Sequence, residues 1–142
     1  MLAGKQKLEL LPDTYAVCWL DRNAPVPDWA TQGHFSSVTR AAGGLSVVCR
    51  DALVPGEVKK DGGWRILMVQ GPLDLTLTGV LASLTIPLAR EGISVFALST
   101  YDTDYLLVRE AQLERAIRVL GVEGHVVDEG HVDCRKGVDT LP

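Results

Sequence analysis

The sequence predicts an α+β protein of two small tandem units, each a split βαβ arrangement (βαββαβ) with an antiparallel sheet and its helices on one face. Three observations predict it. From Trp64 onward, apolar runs and turn residues follow one another in the order strand, helix, strand, strand, helix, strand. The first half is a series of β-type segments separated by turn chemistry and shorter helical candidates. The stretch Gly44-Leu45-Ser46-Val47-Val48 also matches Gly92-Ile93-Ser94-Val95-Phe96, and each copy opens a strand after a helical candidate, which points to duplication. The expected units are residues 1–63 and 64–142.

In the first unit, Lys7 to Leu11 reads as a strand, Pro12-Asp13 as a tight turn, and Thr14 to Leu20 as a second strand rich in β-formers. Asp21 to Pro27 is a loop, because proline cannot donate within a central strand. Asp28-Trp29-Ala30 marks a short helical turn, and Phe35 to Ala42 is a helical candidate ended by Gly43-Gly44. Leu45 to Arg50 is a short buried strand and Pro55-Gly56 a turn. Lys59-Lys60-Asp61-Gly62-Gly63 reads as an exposed loop at the boundary between the units.

In the second unit, Trp64 to Gln70 is a strand, Gly71-Pro72 a break and Leu73 to Leu77 a loop. A helix follows to about Arg90, with Thr78 or Thr76 as its N-cap and Val80, Leu81, Leu84 and Leu88 at helical spacing. Pro87 conflicts with an unbroken helix, since it removes one internal hydrogen bond; a kink is expected there, and Gly92 is the stop. Ile93 to Ser99 and Tyr105 to Arg109 form a hairpin. Glu110 to Leu120 is a helix whose Leu113, Ala116, Ile117 and Leu120 form one apolar stripe. In it Glu114 is set to pair with Arg118, and Gly121 is set to end the helix. Gly124 to Asp128 closes the sheet. This order is the ferredoxin-like one.

Composition limits the functional classes. The chain has 142 residues, 46% of them hydrophobic, and a formal net charge of −4. The mild acidity lacks the basic footprint of nucleic-acid binding, and apolar stretches are broken before a membrane span is reached. The N-terminus Met1 to Lys7 carries no apolar signal core, so a cytoplasmic protein is expected. Three cysteines, Cys18, Cys49 and Cys134, lack close spacing; the first two lie in apolar runs and are expected as buried thiols. Trp19, Trp29 and Trp64 are expected in the core, with an interface role as the other reading.

Catalytic signatures are missing: the chain holds no G-x-S-x-G elbow, Walker-type loop, G-x-G-x-x-G or H-E-x-x-H. Asp102 and Asp104 read as turn residues rather than an acid–base pair. His125 and His131, with Asp128, Glu129, Asp133 and Cys134, form a loose polar cluster without metal-ligand spacing, and His34 stands apart. No enzyme, metal or cofactor is expected.

The segment Leu77 to Leu84, followed by Gly92 to Val108, resembles the tandem ACT-domain family, which includes small bacterial proteins and the eukaryotic cytosolic arginine sensors. The likeness is strongest over Trp64 to Leu120, with fainter signs from Tyr15 to Cys49. It implies two ACT domains and an amino-acid site where the first strand–helix loop of one domain meets a strand of a neighbour. Here that loop holds Gly71, Asp74, Leu75, Thr76, Leu77, Thr78 and Gly79, and the strand begins at Ser94-Val95. The sensors have twice the number of ACT domains, so a full site requires two copies, and a homodimer is implied.

Read from the residues, the same loop suits a zwitterion. A helix start at Thr78-Gly79 offers free amides and a partial positive charge to a carboxylate, Gly79 permits close approach, and Asp74 can pair with an ammonium. The alternative at these positions is helix capping and chain turning alone. The expected function is a small-molecule, amino-acid-binding regulatory protein with an unknown protein partner. The other reading is a protein-interaction module acting through oligomerisation.

Overall fold

The computed structural model describes residues 4–71 and 78–130. Their elements are β1 (Lys7–Leu10), β2 (Tyr15–Leu20), β3 (Ser37–Ala41), β4 (Gly44–Arg50), β5 (Lys59–Val69), α1 (Val80–Arg90), β6 (Val95–Ser99), β7 (Asp104–Arg109), α2 (Leu113–Val122) and β8 (Val126–Asp128). Short 3-10 turns lie at Asp28–Thr31, Asp51–Leu53 and Glu110–Gln112. Two compact units result. One is Asp13–Trp64; the other joins the described residues up to Pro12 to those from Arg65 on. The strand β1, expected at the head of a unit 1–63, is therefore part of the later unit.

In the later unit the strands are ordered β8-β1-β5-β7-β6. β1 pairs antiparallel with β5, through Leu8 opposite Val69, and parallel with β8, through Leu8 opposite Val127. The expected succession of strand, helix, strand, strand, helix, strand is present from β5 to β8. β1 is an addition to it, lying between the strands that begin and end that succession. Leu8, Leu67, Leu84, Leu88, Leu106 and Leu120 are fully buried in the core that this sheet shares with the two helices. Both apolar stripes read from the sequence point into it, with Leu81 and Ile117 partly buried at its margin.

Both helices end in the same way. Gly92 (φ 72°) and Gly124 (φ 92°) take the left-handed conformation, and the amides of Ile93 and His125 reach back to the carbonyls of Leu88 and Leu120. The amides of Gly92 and Gly124 close the inner bonds to Ala89 and Gly121, which completes a Schellman motif at each end. Gly124, rather than the expected Gly121, thus stops α2. The expected Glu114–Arg118 ion pair is not formed; Arg115 instead pairs with Glu91, 3.6 Å away, and ties the ends of the two helices together.

Residues 13–64 contain no α-helix, so the expected βαββαβ pattern is not met there. Phe35 to Ala42, expected as helical, holds β3, because Val38 and Thr39 are β-branched and pair with Val47 and Ser46 of β4. Gly43 lies in the two-residue turn of that hairpin, so it connects strands and ends no helix. Lys59 to Gly63, expected as a loop, is the opening of the eleven-residue β5. A register shift opposite Tyr15 and Val17 and the positive φ (79°) of Gly63 mark a bulge there. Asp51 secures it by accepting from Lys60 Nζ at 2.5 Å and from the Gly63 amide at 3.3 Å.

Cys18 and Cys49 are buried as expected, and so is Trp64. Trp19 is half-exposed, contrary to a core position: its Nε1 donates to the Gly43 carbonyl at 2.9 Å, and Lys59 Nζ lies 5.9 Å from its ring centroid.

Candidate ligand site

The first turn of α1 is the focus of the expected site. Its N-cap is Gly79 (φ 82°, left-handed), where Thr78 or Thr76 was expected, and glycine itself has no side chain with which to cap the helix. The first internal bond runs from the Ser83 amide to the Gly79 carbonyl, so the amides before Ser83 lack intrahelical acceptors. They carry the positive end of the helix dipole. Thr78, next to Gly79, is exposed at this end, and Gly71, which follows β5, is exposed as well. Asp74, Leu75, Thr76 and Leu77 lie outside the described residues.

Ser94 and Val95 lie elsewhere. They follow the C-terminal Schellman turn of α1, where Ser94 is exposed and Val95 pairs with Val108. The eleven residues of α1 span about 16 Å at the helical rise. One protomer therefore presents Thr78 and Gly79 at one end of α1 and Ser94 and Val95 beyond the other. Among the described residues, Gly79 and Ser94-Val95 are therefore not brought together within one protomer.

Along the exposed flank of α1 runs a groove of about 410 Å³ that starts at Gly79 and continues past Ala82, Ser83, Ile86 and Pro87 to Arg90. Its second wall is made by Gly4, Lys5, Glu123 and His125. Lys5 stretches across Gly124 to donate from Nζ to the Glu123 carbonyl at 3.2 Å, where a cation meets the negative end of α2. Arg90 has neither hydrogen bond nor ion pair among the described residues.

His125 is the buried polar group of this wall, 6% exposed. Its role comes from Pro87. Proline has no amide hydrogen, so the carbonyl four residues earlier, that of Ser83, loses its helical donor. His125 Nε2 supplies one at 3.1 Å, while Nδ1 accepts from the Gln6 amide at 2.9 Å. That pair of bonds fixes the neutral tautomer with hydrogen on Nε2. It also explains why α1 runs unbroken from Val80 to Arg90 with Pro87 inside it. In the sequence His125 looked like a member of a loose polar cluster. The signal that finds it is a proline within an apolar helical stripe, which demands a donor from elsewhere.

Other expected groups take plain structural parts. Asp104 accepts from Ser99 Oγ at 2.6 Å within the β6–β7 hairpin, and Asp102 is exposed in its loop. Among the described residues no three His, Cys, Asp or Glu side chains gather as metal ligands. His131, Asp133 and Cys134 lie outside the described residues. No described helix is long and apolar enough to cross a membrane.

Comparison with known proteins adds a family to this geometry. A model described as an ACT domain matches residues 59–121. A second model, of an N-terminal domain, matches residues 13–57. A crystal structure of an Agrobacterium tumefaciens protein is 37% identical, with a TM-score of 0.86, over 91% of this chain and 96% of that one. The cytosolic arginine sensor for mTORC1 subunit 1 of Bos taurus is 37% identical over 71 residues, 46% of this chain and 22% of the sensor. The chain thus spans about a fifth of the length of that relative. The regulatory subunit of aspartate kinase from Thermus thermophilus shares the fold, with a TM-score of 0.53 and 11% identity over 82% of this chain and 96% of that one.

Proposed function

The chain belongs to the ACT-domain family, and from that premise we propose that it is a regulatory protein binding an amino acid between two copies of itself. The observation that carries this reading is that Thr78-Gly79 and Ser94-Val95 lie at opposite ends of α1. Two copies in antiparallel contact along α1 set the Gly71–Gly79 loop of each against Ser94-Val95 of the other, making two equivalent sites.

In such a site the first-turn amides of α1 hold the ligand carboxylate, because donors and dipole both favour an anion there. Asp74 takes the ammonium or a basic side chain. The backbone at Ser94-Val95 of the second copy completes the enclosure. Binding then biases the packing of the copies, which couples a small molecule to assembly and to a protein partner. The two tandem units, divided near residues 63 and 64 apart from β1, give this cytoplasmic homodimer one ACT domain and one β-rich companion per copy. The sensor and kinase relatives support a regulatory rather than a catalytic role.

Thermal denaturation against a panel of the common amino acids tests the reading. One amino acid raises the midpoint, by about 2.7 kcal/mol of stabilisation at hundredfold excess over its dissociation constant. Asp74→Ala abolishes the shift. A flat panel contradicts amino-acid binding and leaves the interaction-module reading, which the half-exposed Ile86 and the exposed Val122 support.

A further inference from the structure

We propose that the amino acid held between two copies is an acidic one, aspartate or glutamate, and that Arg90 of the second copy takes its side-chain carboxylate. The inference rests on the reading that the site is shared between copies, and it names the ligand chemistry such a site selects.

Gly79, Ala82, Ser83, Ile86 and Arg90 recur at intervals of three and four and form one stripe along the outer flank of α1. The stripe complements itself when reversed. An antiparallel copy sets Ile86 against Ser83, Pro87 against Ala82 and Arg90 against Gly79, the larger side chain over the smaller in each pair. Ile86, 49% exposed in the single chain, is covered by this contact. The two Arg90 side chains lie at opposite ends of it, about 16 Å apart along the helix, too far for strong repulsion in salt.

Arg90 thus reaches the first turn of the other copy's α1 with its guanidinium unpaired among the described residues. The acids around it have counterparts. Glu91 is paired with Arg115, and Glu123 is matched in the groove wall by Lys5, whose Nζ sits on the Glu123 carbonyl at 3.2 Å. With Asp74 taking the ligand ammonium and the first-turn amides its α-carboxylate, the Arg90 guanidinium is the charge left over. A second carboxylate on the ligand balances it through two parallel N–H···O bonds, which an alkyl chain cannot make and an amide makes only in part. A basic side chain meets like charge there.

The test is thermal denaturation and titration calorimetry of the full chain with aspartate, glutamate, asparagine, glutamine, lysine and arginine. Aspartate or glutamate binds, and the matching amide binds about tenfold more weakly or worse, as a neutral contact does against a charge-assisted pair. Arg90→Gln brings the acid and its amide within about twofold of each other, since the discriminating charge is gone. Circular dichroism and sedimentation confirm that this variant folds and pairs. Mixing it with Asp74→Ala restores the preference for the acid, because one site of each mixed dimer keeps both groups. Tightest binding of a neutral or basic amino acid overturns this inference and leaves the shared amino-acid site standing. An acid preference that Arg90→Gln leaves unchanged does the same. No recovery in the mixture, with subunit exchange confirmed, removes Arg90 from the other copy's site and overturns the inference as well. A panel flat for every amino acid overturns both readings.

Discussion

The two compact units of this chain hold themselves together by different means. The unit built from β1 and the residues from Arg65 on packs two helices on a sheet, and its buried leucines come from five separate elements. Residues 13–64 have no helix layer and a smaller core around Ala16, Leu45, Val47 and Cys49. They rely on point clamps: Asp51 on the β5 bulge, Arg50 against Asp13 at 3.2 Å, Tyr15 edge-on to Phe35 at 6.0 Å, and Trp19 on the hairpin turn. A core tolerates small displacements of a side chain better than a clamp does. The contrast therefore separates mutations that leave a void from mutations that break a local fit.

The largest effect is expected in the helix-bearing unit. Leu84→Ala removes a side chain that is 0% exposed, at a cost of about 3 kcal/mol in chemical denaturation. An effect below ~1 kcal/mol would mean that this core is loosely packed and the contrast unfounded.

Gly44→Ala follows, because a methyl there would stand 2.1 Å from the Trp19 indole nitrogen. We expect a loss of about 2 kcal/mol from this overlap. Trp19→Ala in the same chain recovers the part due to the indole, while the positive φ (150°) of Gly44 keeps the rest as backbone strain. No rescue at all would place the whole strain in the backbone and none in the overlap.

A finer prediction concerns the proline within α1. His125→Ala strips the donor from Ser83 and the acceptor from Gln6, a loss of about 1–3 kcal/mol for buried groups left unpaired. Pro87→Ala returns an amide to the Ser83 carbonyl, so His125→Ala is milder in that background. Additive effects of the two changes would show that the histidine does not serve the proline. Nitrogen-15 shifts of the imidazole, with hydrogen on Nε2, are the spectroscopic counterpart.

The effect that is smallest at neutral pH is a pH dependence in residues 13–64, which emerges only under alkaline conditions. Burial, with the neighbouring Cys18 second, pushes the Cys49 thiol from 9.0 up to about 12. In the unfolded chain that thiol ionises near 9.0, while in the folded chain it stays neutral. The stability it contributes is present below pH 9 and declines as pH rises from there toward 12. Cys49→Ala flattens that part of the profile, and a profile unchanged by the substitution would contradict the assignment.

Much of the later unit was legible in the sequence because each signal there is local and the signals agree. Val80, Leu84 and Leu88 share one helical face, Gly92 stops the helix, and two strands flank a polar turn. The first unit misled at Phe35 to Ala42, where apolar and small residues before Gly43-Gly44 suited a helix in isolation. Its strand form depends on pairing with β4, which the segment itself does not encode. β1 likewise could be read as a strand, but its partners are far along the chain, at Val69 and Val127. At the candidate site, Gly79 was recognised as a place of close approach, whereas its role as N-cap was assigned to a threonine. His125 was missed because its partners, Ser83 and Gln6, are 42 and 119 residues away.

The central claim is that each ligand site takes one end of α1 from one copy and the other end from its partner. The most direct test is to mix two inactive variants, Asp74→Ala, broken at the loop, and Ser94→Trp, blocked at the strand. Each alone fails to bind the amino acid found in the thermal panel. After exchange of subunits, every mixed dimer holds one intact site, so about a quarter of wild-type capacity returns in a random mixture. Titration calorimetry showing that recovery supports the shared site. A mixture as inactive as its components, despite exchange confirmed by mass spectrometry, would contradict it.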